Sequence, residues 1–275
     1  MRFSERRRRL ETPTLTCSAP VQPKDTLMIG TRRAIALLIL SFFVIQFGMT
    51  AWLGPDELFA VNLGLALCYG LAFFGLAAEW FWARWFAMGV GNFGSLMLLV
   101  LFKVGFEPIF VFFGVTHLLV VLCLMGEGMA AKYEYSEKTA ERWNFQEDSM
   151  GLMRRAVKSA GSTLPLLILY ALAPRGEWLQ WAMLGTGVLG FVALVRGKTW
   201  GPLLLGATGA VCLLDGLGVF GAPTIGFLML GPDIGAAPAL YGKAGIFAGG
   251  LLLVLVPFVG PMLRYLRRHD RKAIL

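Results

Sequence analysis

Eight apolar stretches, each close to the ~20 residues an α-helix needs to cross a ~30 Å hydrocarbon core, divide this chain. They run over 34–53, 58–78, 84–102, 107–125, 156–173, 177–195, 199–220 and 244–263. One soluble core could not hide them all. The charge balance agrees, with 15% charged residues against 57% hydrophobic ones and a mean hydropathy of +0.67, where soluble domains carry about 25% charge. The predicted fold class is an all-α integral membrane protein of about eight transmembrane helices. The fifth stretch is the least regular. Only 161–173 is free of charge, so Lys158 must snorkel at its start, and Pro165 is expected near the first turns of that span.

Loop cations set the orientation. With the N-terminus inside, 22 of the 25 Lys and Arg residues fall in cytoplasmic segments, leaving only Lys103, Arg175 and Lys243 outside. Both termini are therefore expected in the cytoplasm of a cell whose inner membrane holds the chain. The expected organisation is a disordered tail over 1–27, a first four-helix half over 28–125, a cytoplasmic connector over 126–158 and a second half over 159–275. The tail carries Arg6, Arg7, Arg8 and Arg9, which suit anionic lipid better than nucleic acid. It lacks the pattern of a secretory signal, and translation from Met28 would give an ordinary inner-membrane start. The connector repeats Met129, Tyr133, Ala140 and Trp143 on one helical face, with Glu137, Lys138, Glu141 and Arg142 interleaved on the other. That pattern reads as an interfacial helix, with docking of a partner protein as the alternative.

The two halves resemble each other. Setting 70–99 against 185–214 makes eight of thirty positions identical, where about three would coincide by chance in a chain so rich in Leu, Gly and Ala. The shared positions include Gly70/Gly185, Gly75/Gly190, Trp85/Trp200, Gly91/Gly206 and Gly94/Gly209. Each copy reads as an apolar helix, a turn with a basic residue and a Trp, and a second helix with paired glycines. In the expected topology the copies enter from one side, as parallel repeats. At the same offset Pro108 and Phe112 meet Pro223 and Phe227.

Chemistry-bearing residues are few. Cys17, Cys68, Cys123 and Cys212 are isolated, and His117 and His269 are the only histidines, so no disulfide framework, zinc site or cofactor is expected. The run 89–94 matches GxGxxG but lacks the preceding strand such a motif needs, so its glycines read as packing positions on one helix face. The candidate intramembrane polar site is Asn92, His117 and Asp215. Asn92 and His117 lie at similar depth on adjacent spans and are expected to hydrogen-bond each other. Ser95, one turn on, raises a Ser–His hydrolase, but no orienting acid accompanies it. Asp215 is the one carboxylate well inside an apolar run, where an ionisable group is a functional candidate. Its bland alternatives are a reach to outer water or pairing with Lys103 or Lys243. The apolar, Gly/Pro-rich segment 221–242 is the expected place for a lid or re-entrant element, or for a broken outer helix.

The expected function is a non-enzymatic structural, assembly or sensory subunit. Its partners would be anionic headgroups at the cytoplasmic face, and a membrane protein or a second copy. The alternative is a small-molecule or proton-coupled carrier with its site between the halves. A lipid-substrate enzyme ranks third, because such sites gather several acids, histidines or arginines at one water boundary. Four basic residues, Arg264, Arg267, Arg268 and Arg271, stripe the C-terminal end.

Overall fold

A computed structural model describes residues 23–134, 147–171, 178–198, 200–220, 249–251, 253–261 and 263. Among these every regular element is helical. The helices are α1 (Pro23–Leu53), α2 (Phe59–Ala77), α3 (Ala83–Ser95), α4 (Met97–Val104), α5 (Pro108–Leu124), α6 (Glu127–Glu134), α7 (Glu147–Ala171), α8 (Trp178–Val195), α9 (Trp200–Gly216) and helical turns at 253–261, here α10. The segment 221–242, the connector residues Ala140 and Trp143, and the four C-terminal arginines lie outside the described residues.

Three helices, Met28–Leu53, Phe59–Ala77 and Trp178–Val195, are long and apolar enough to cross a membrane. Pro108–Leu124 with Glu127–Glu134 makes a fourth if the pair, bent by 73°, counts as one span. The bend falls at Gly126, whose φ of +103° suits a residue without Cβ. The expected third span, 84–102, is instead two helices parted at Leu96. Ser95 Oγ bonds back to the Asn92 carbonyl at 2.8 Å, and the Leu96 N–H is shared between the Asn92 and Phe93 carbonyls. Such back-bonding competes with the helical ladder. Pro165 also sits differently from expectation. Because α7 starts at Glu147, Pro165 lies well inside the helix, where its missing N–H leaves the Gly161 carbonyl without its ladder partner.

The bundle is built around α3. Eleven of its thirteen residues are buried, because α2, α5 and α7 all pack on it. Its glycines do not share one face as the sequence suggests. A 3.6-residue period puts Gly89 roughly opposite Gly91 and Gly94. A Cβ on Gly89 would stand 2.8 Å from the Gly161 backbone of α7. One on Gly91 would stand 2.7 Å from Val121 of α5, and one on Gly94 would overlap the His117 ring. Small residues thus bring α3 against a neighbour on each side.

The two turns aligned by the repeat close in the same way. The Trp80 N–H bonds the Gly75 carbonyl at 3.0 Å and the Lys198 N–H bonds the Ala193 carbonyl at 2.9 Å, each after a residue with positive φ, Glu79 and Gly197. This is the closure of a helix C-terminus in a left-handed residue. The two bonds are 118 positions apart, three residues out of step with the sequence alignment. Trp85 and Trp200, identical at the offset of 115, also differ in setting, since Trp85 is buried and Trp200 exposed.

Candidate functional site

Among the described residues, the buried polar side chains that reach another helix gather in three separate constellations. In the first, His117 of α5 is fully buried, with its ring against Phe43, Phe113 and Tyr69. The Phe113 carbonyl, 2.7 Å from Nδ1, can only accept, so Nδ1 carries the hydrogen. Nε2 then accepts the Tyr69 hydroxyl at 2.6 Å. Both ring nitrogens are used, so the expected His117–Asn92 bond does not form. Asn92 stands half-buried on α3, and the face of α3 turned to the imidazole is Gly94. Ser95 Oγ is spent on its own helix, so Ser95 and His117 do not pair. Tyr69→Phe should cost ~1–3 kcal/mol, since His117 keeps a buried acceptor with nothing to donate to it. A thermal melt of the detergent-solubilised protein reads this, and an unchanged melt would mean the bond contributes nothing.

The second constellation gathers where α7 ends, α8 begins and α9 ends. Tyr170 donates to Asp215 Oδ2 at 2.5 Å, both side chains being buried. Gln180 Nε2 donates to the Tyr170 carbonyl at 3.3 Å, while its buried Oε1 has no hydrogen-bond partner among the described residues. Deeper in the same layer Thr208 donates to Thr186 at 2.9 Å, joining α9 to α8. Asp215 thus has a hydroxyl partner on α7 that the sequence did not suggest. Lys243 lies outside the described residues.

The third lies at the opposite end of α7, about 16 residues or ~24 Å along the helix from Tyr170. Glu134, at the end of α6, has a fully buried side chain and pairs with Arg84 of α3. Trp85 Nε1 donates to the same Oε1 at 2.6 Å, and Arg154 of α7 reaches Oε2 at 3.3 Å. Arg84 also donates through Nε to the Leu124 carbonyl at 2.8 Å. Arg32 donates to the carbonyls of Leu122 and Met125, and Arg33 to those of Leu76 and Ala77. Tyr133 donates to Leu76 as well, at 3.0 Å. These carbonyls end α5 and α2, where the helix leaves acceptors unpaired and its dipole favours cations. Beside them Glu79 pairs with Arg33 at 2.5 Å and Lys132 at 3.0 Å. The Lys132 hydrogen bond, with the Arg33 charge behind it, holds the Glu79 carboxyl below its ordinary range.

The three sequence candidates therefore do not form one site: His117 is tied to α2, Asp215 to α7, and Asn92 to neither. Sequence reasoning missed Tyr69, Tyr170 and Glu134. A tyrosine at the depth of a lone buried His or Asp was the available signal for the first two. For Glu134 it was the neighbouring Tyr133 on an apolar face, opposite an arginine standing alone in its turn. Among the described residues no group of His, Cys, Asp and Glu could hold a metal ion, and Cys68, Cys123 and Cys212 are buried free thiols.

Among the described residues the protein is all-helical, and three of its helices, four with the bent pair, can cross a membrane. No protein-family model, curated protein or solved structure matches this chain.

Proposed function

We propose that the chain is a polytopic inner-membrane protein of eight spans in two parallel four-helix halves, and that it acts as a non-enzymatic structural, assembly or sensory subunit. The observation that carries the reading is the crossing of α3 and α7. Gly89 and Gly161 put the two backbones in direct contact, which leaves no room between the halves for a substrate at that level. The eight-span arrangement draws on α3 with α4, α7, α9 and α10, which occupy the remaining four apolar stretches. The repeat draws on glycine contacts: Gly91 meets Val121 of α5 and its counterpart Gly206 meets Leu255 of α10. A cytoplasmic location for both termini draws on one end of the bundle collecting Arg32, Arg33, Arg84, Lys132 and Arg154.

A second reading, a proton-coupled carrier, draws on Asp215 and Tyr170 with the half-satisfied Gln180 amide beside them. A carboxylate that must load and release a proton would need such neighbours. Purified protein in liposomes loaded with a pH-sensitive dye separates the two. Under an imposed gradient the subunit reading expects flux equal to protein-free vesicles, unchanged by Asp215→Asn, and cross-linking in native membranes to a second copy or a membrane protein. Proton flux that Asp215→Asn abolishes at normal protein level would replace the subunit with the carrier.

A further inference from the structure

We propose that the groove between α7 and α10 is a binding site for one anionic phospholipid of the surrounding bilayer. This rests on the membrane-spanning reading of the chain and is independent of whether the chain is a subunit or a carrier. The groove is open rather than enclosed and offers about 580 Å³, within the ~300–1,000 Å³ common for small-ligand sites. Its α7 wall is Leu152, Arg155 and Ser159, a spacing of three and four that presents one helical face. Opposite stand Leu253, Val256 and Gly260, at the same spacing, flanked by Pro257 and Pro261. Glycine and the proline rings leave a trough where longer side chains would interlock with α7. Ser159 Oγ closes its deep end by donating to the Gly250 carbonyl at 3.4 Å.

The chemistry of the walls selects the occupant. Among the described residues they carry no acid and a single cation, Arg155, toward the end of the bundle where Arg84, Glu134 and Arg154 gather. Arg154, next to it, is drawn to Glu134. Arg155 points about 100° away from it around the helix, is exposed, and makes no hydrogen bond or ion pair among the described residues. A guanidinium fork fits a phosphate diester through two parallel N–H donors. Below it the apolar wall runs toward the bilayer middle, as an acyl chain would. A soluble phosphate would use the arginine but not the trough. A zwitterionic lipid would use the trough but gain less at the arginine, because its own cation offsets the phosphate.

The test uses the full chain in detergent micelles with equal amounts of phosphatidylglycerol and phosphatidylcholine, the first retained lipid being read by native mass spectrometry. The expected preference for phosphatidylglycerol is about fivefold, the usual worth of one interfacial arginine. Arg155→Gln should bring it close to even and Arg155→Lys should keep part of it. Arg155 is exposed, so neither variant threatens the fold. Val256→Trp should fill the trough and lower first-lipid occupancy for both lipids, its folding being checked by melting without added lipid. Millimolar inorganic phosphate should displace nothing. A wild-type preference in Arg155→Gln would overturn the site, as would wild-type occupancy in a folded Val256→Trp. Displacement by inorganic phosphate would overturn the lipid as its occupant.

Discussion

Glu134→Ala should destabilise the protein by ~3–5 kcal/mol, the cost of removing one partner from a buried ion pair. The Glu134 side chain is fully buried and that of Arg84 is 7% exposed, so water cannot replace the lost carboxylate. Trp85 Nε1 would lose its acceptor and Arg154 its counter-charge in the same step. Arg84 would still hold the Leu124 carbonyl, so the damage should concentrate where α6 docks on α3 and α7. Glu134→Gln keeps an acceptor oxygen for Trp85 and should cost less. The double variant Arg84→Met with Glu134→Leu should be milder than either single truncation, because no buried charge is left unpaired and the half-exposed Arg154 can turn to water. Thermal melts in detergent measure all three. A Glu134→Ala melt within ~0.5 kcal/mol of wild type would place the carboxylate in water, against the burial described.

Gly161→Leu should prevent α7 from seating on α3. A Cβ at position 161 would lie 2.6 Å from the Phe86 carbonyl oxygen and 3.2 Å from its carbon. Both are backbone atoms of a buried helix, so relief requires moving the whole element. Even Gly161→Ala should cost ~1–3 kcal/mol, as overpacking does. The informative control is Gly185→Ala on α8, where a Cβ meets nothing within 4 Å. There the change should be neutral or should gain up to ~1 kcal/mol of helix propensity. Both are mid-helix glycines in apolar surroundings, so opposite signs in one melting assay would locate the tight crossing at α3–α7. Equal effects at the two positions would remove it, and with it the observation on which the subunit reading rests.

How far the sequence reaches can be judged from these residues. Helix class, the apolar stretches over 34–53, 58–78 and 177–195, and the break after Leu124 were legible, because hydropathy and helix-ending glycines act over a few neighbouring residues. The importance of Gly89, Gly91 and Gly94 was legible, but not their division between two partners. That division depends on α5 and α7 lying on different sides of α3. His117 and Asp215 stood out as costly groups in apolar runs, whereas their partners did not. Tyr69 is 48 residues from His117 and Tyr170 is 45 from Asp215, and no periodicity links positions that far apart.

The sequence by itself determined that these are apolar helices with little room for exposed charge, since transfer free energy adds up residue by residue along the chain. Only the tertiary structure decided which polar group satisfies which. His117 bonds Tyr69 rather than Asn92, and Asp215 bonds Tyr170. Arg84, counted from sequence as a loop cation, is buried on Glu134. Each of those outcomes turns on helix rotation and on where a glycine lets two backbones approach. A rotation of one residue, about 100°, carries a side chain from a neighbour to lipid at almost no change in local preference.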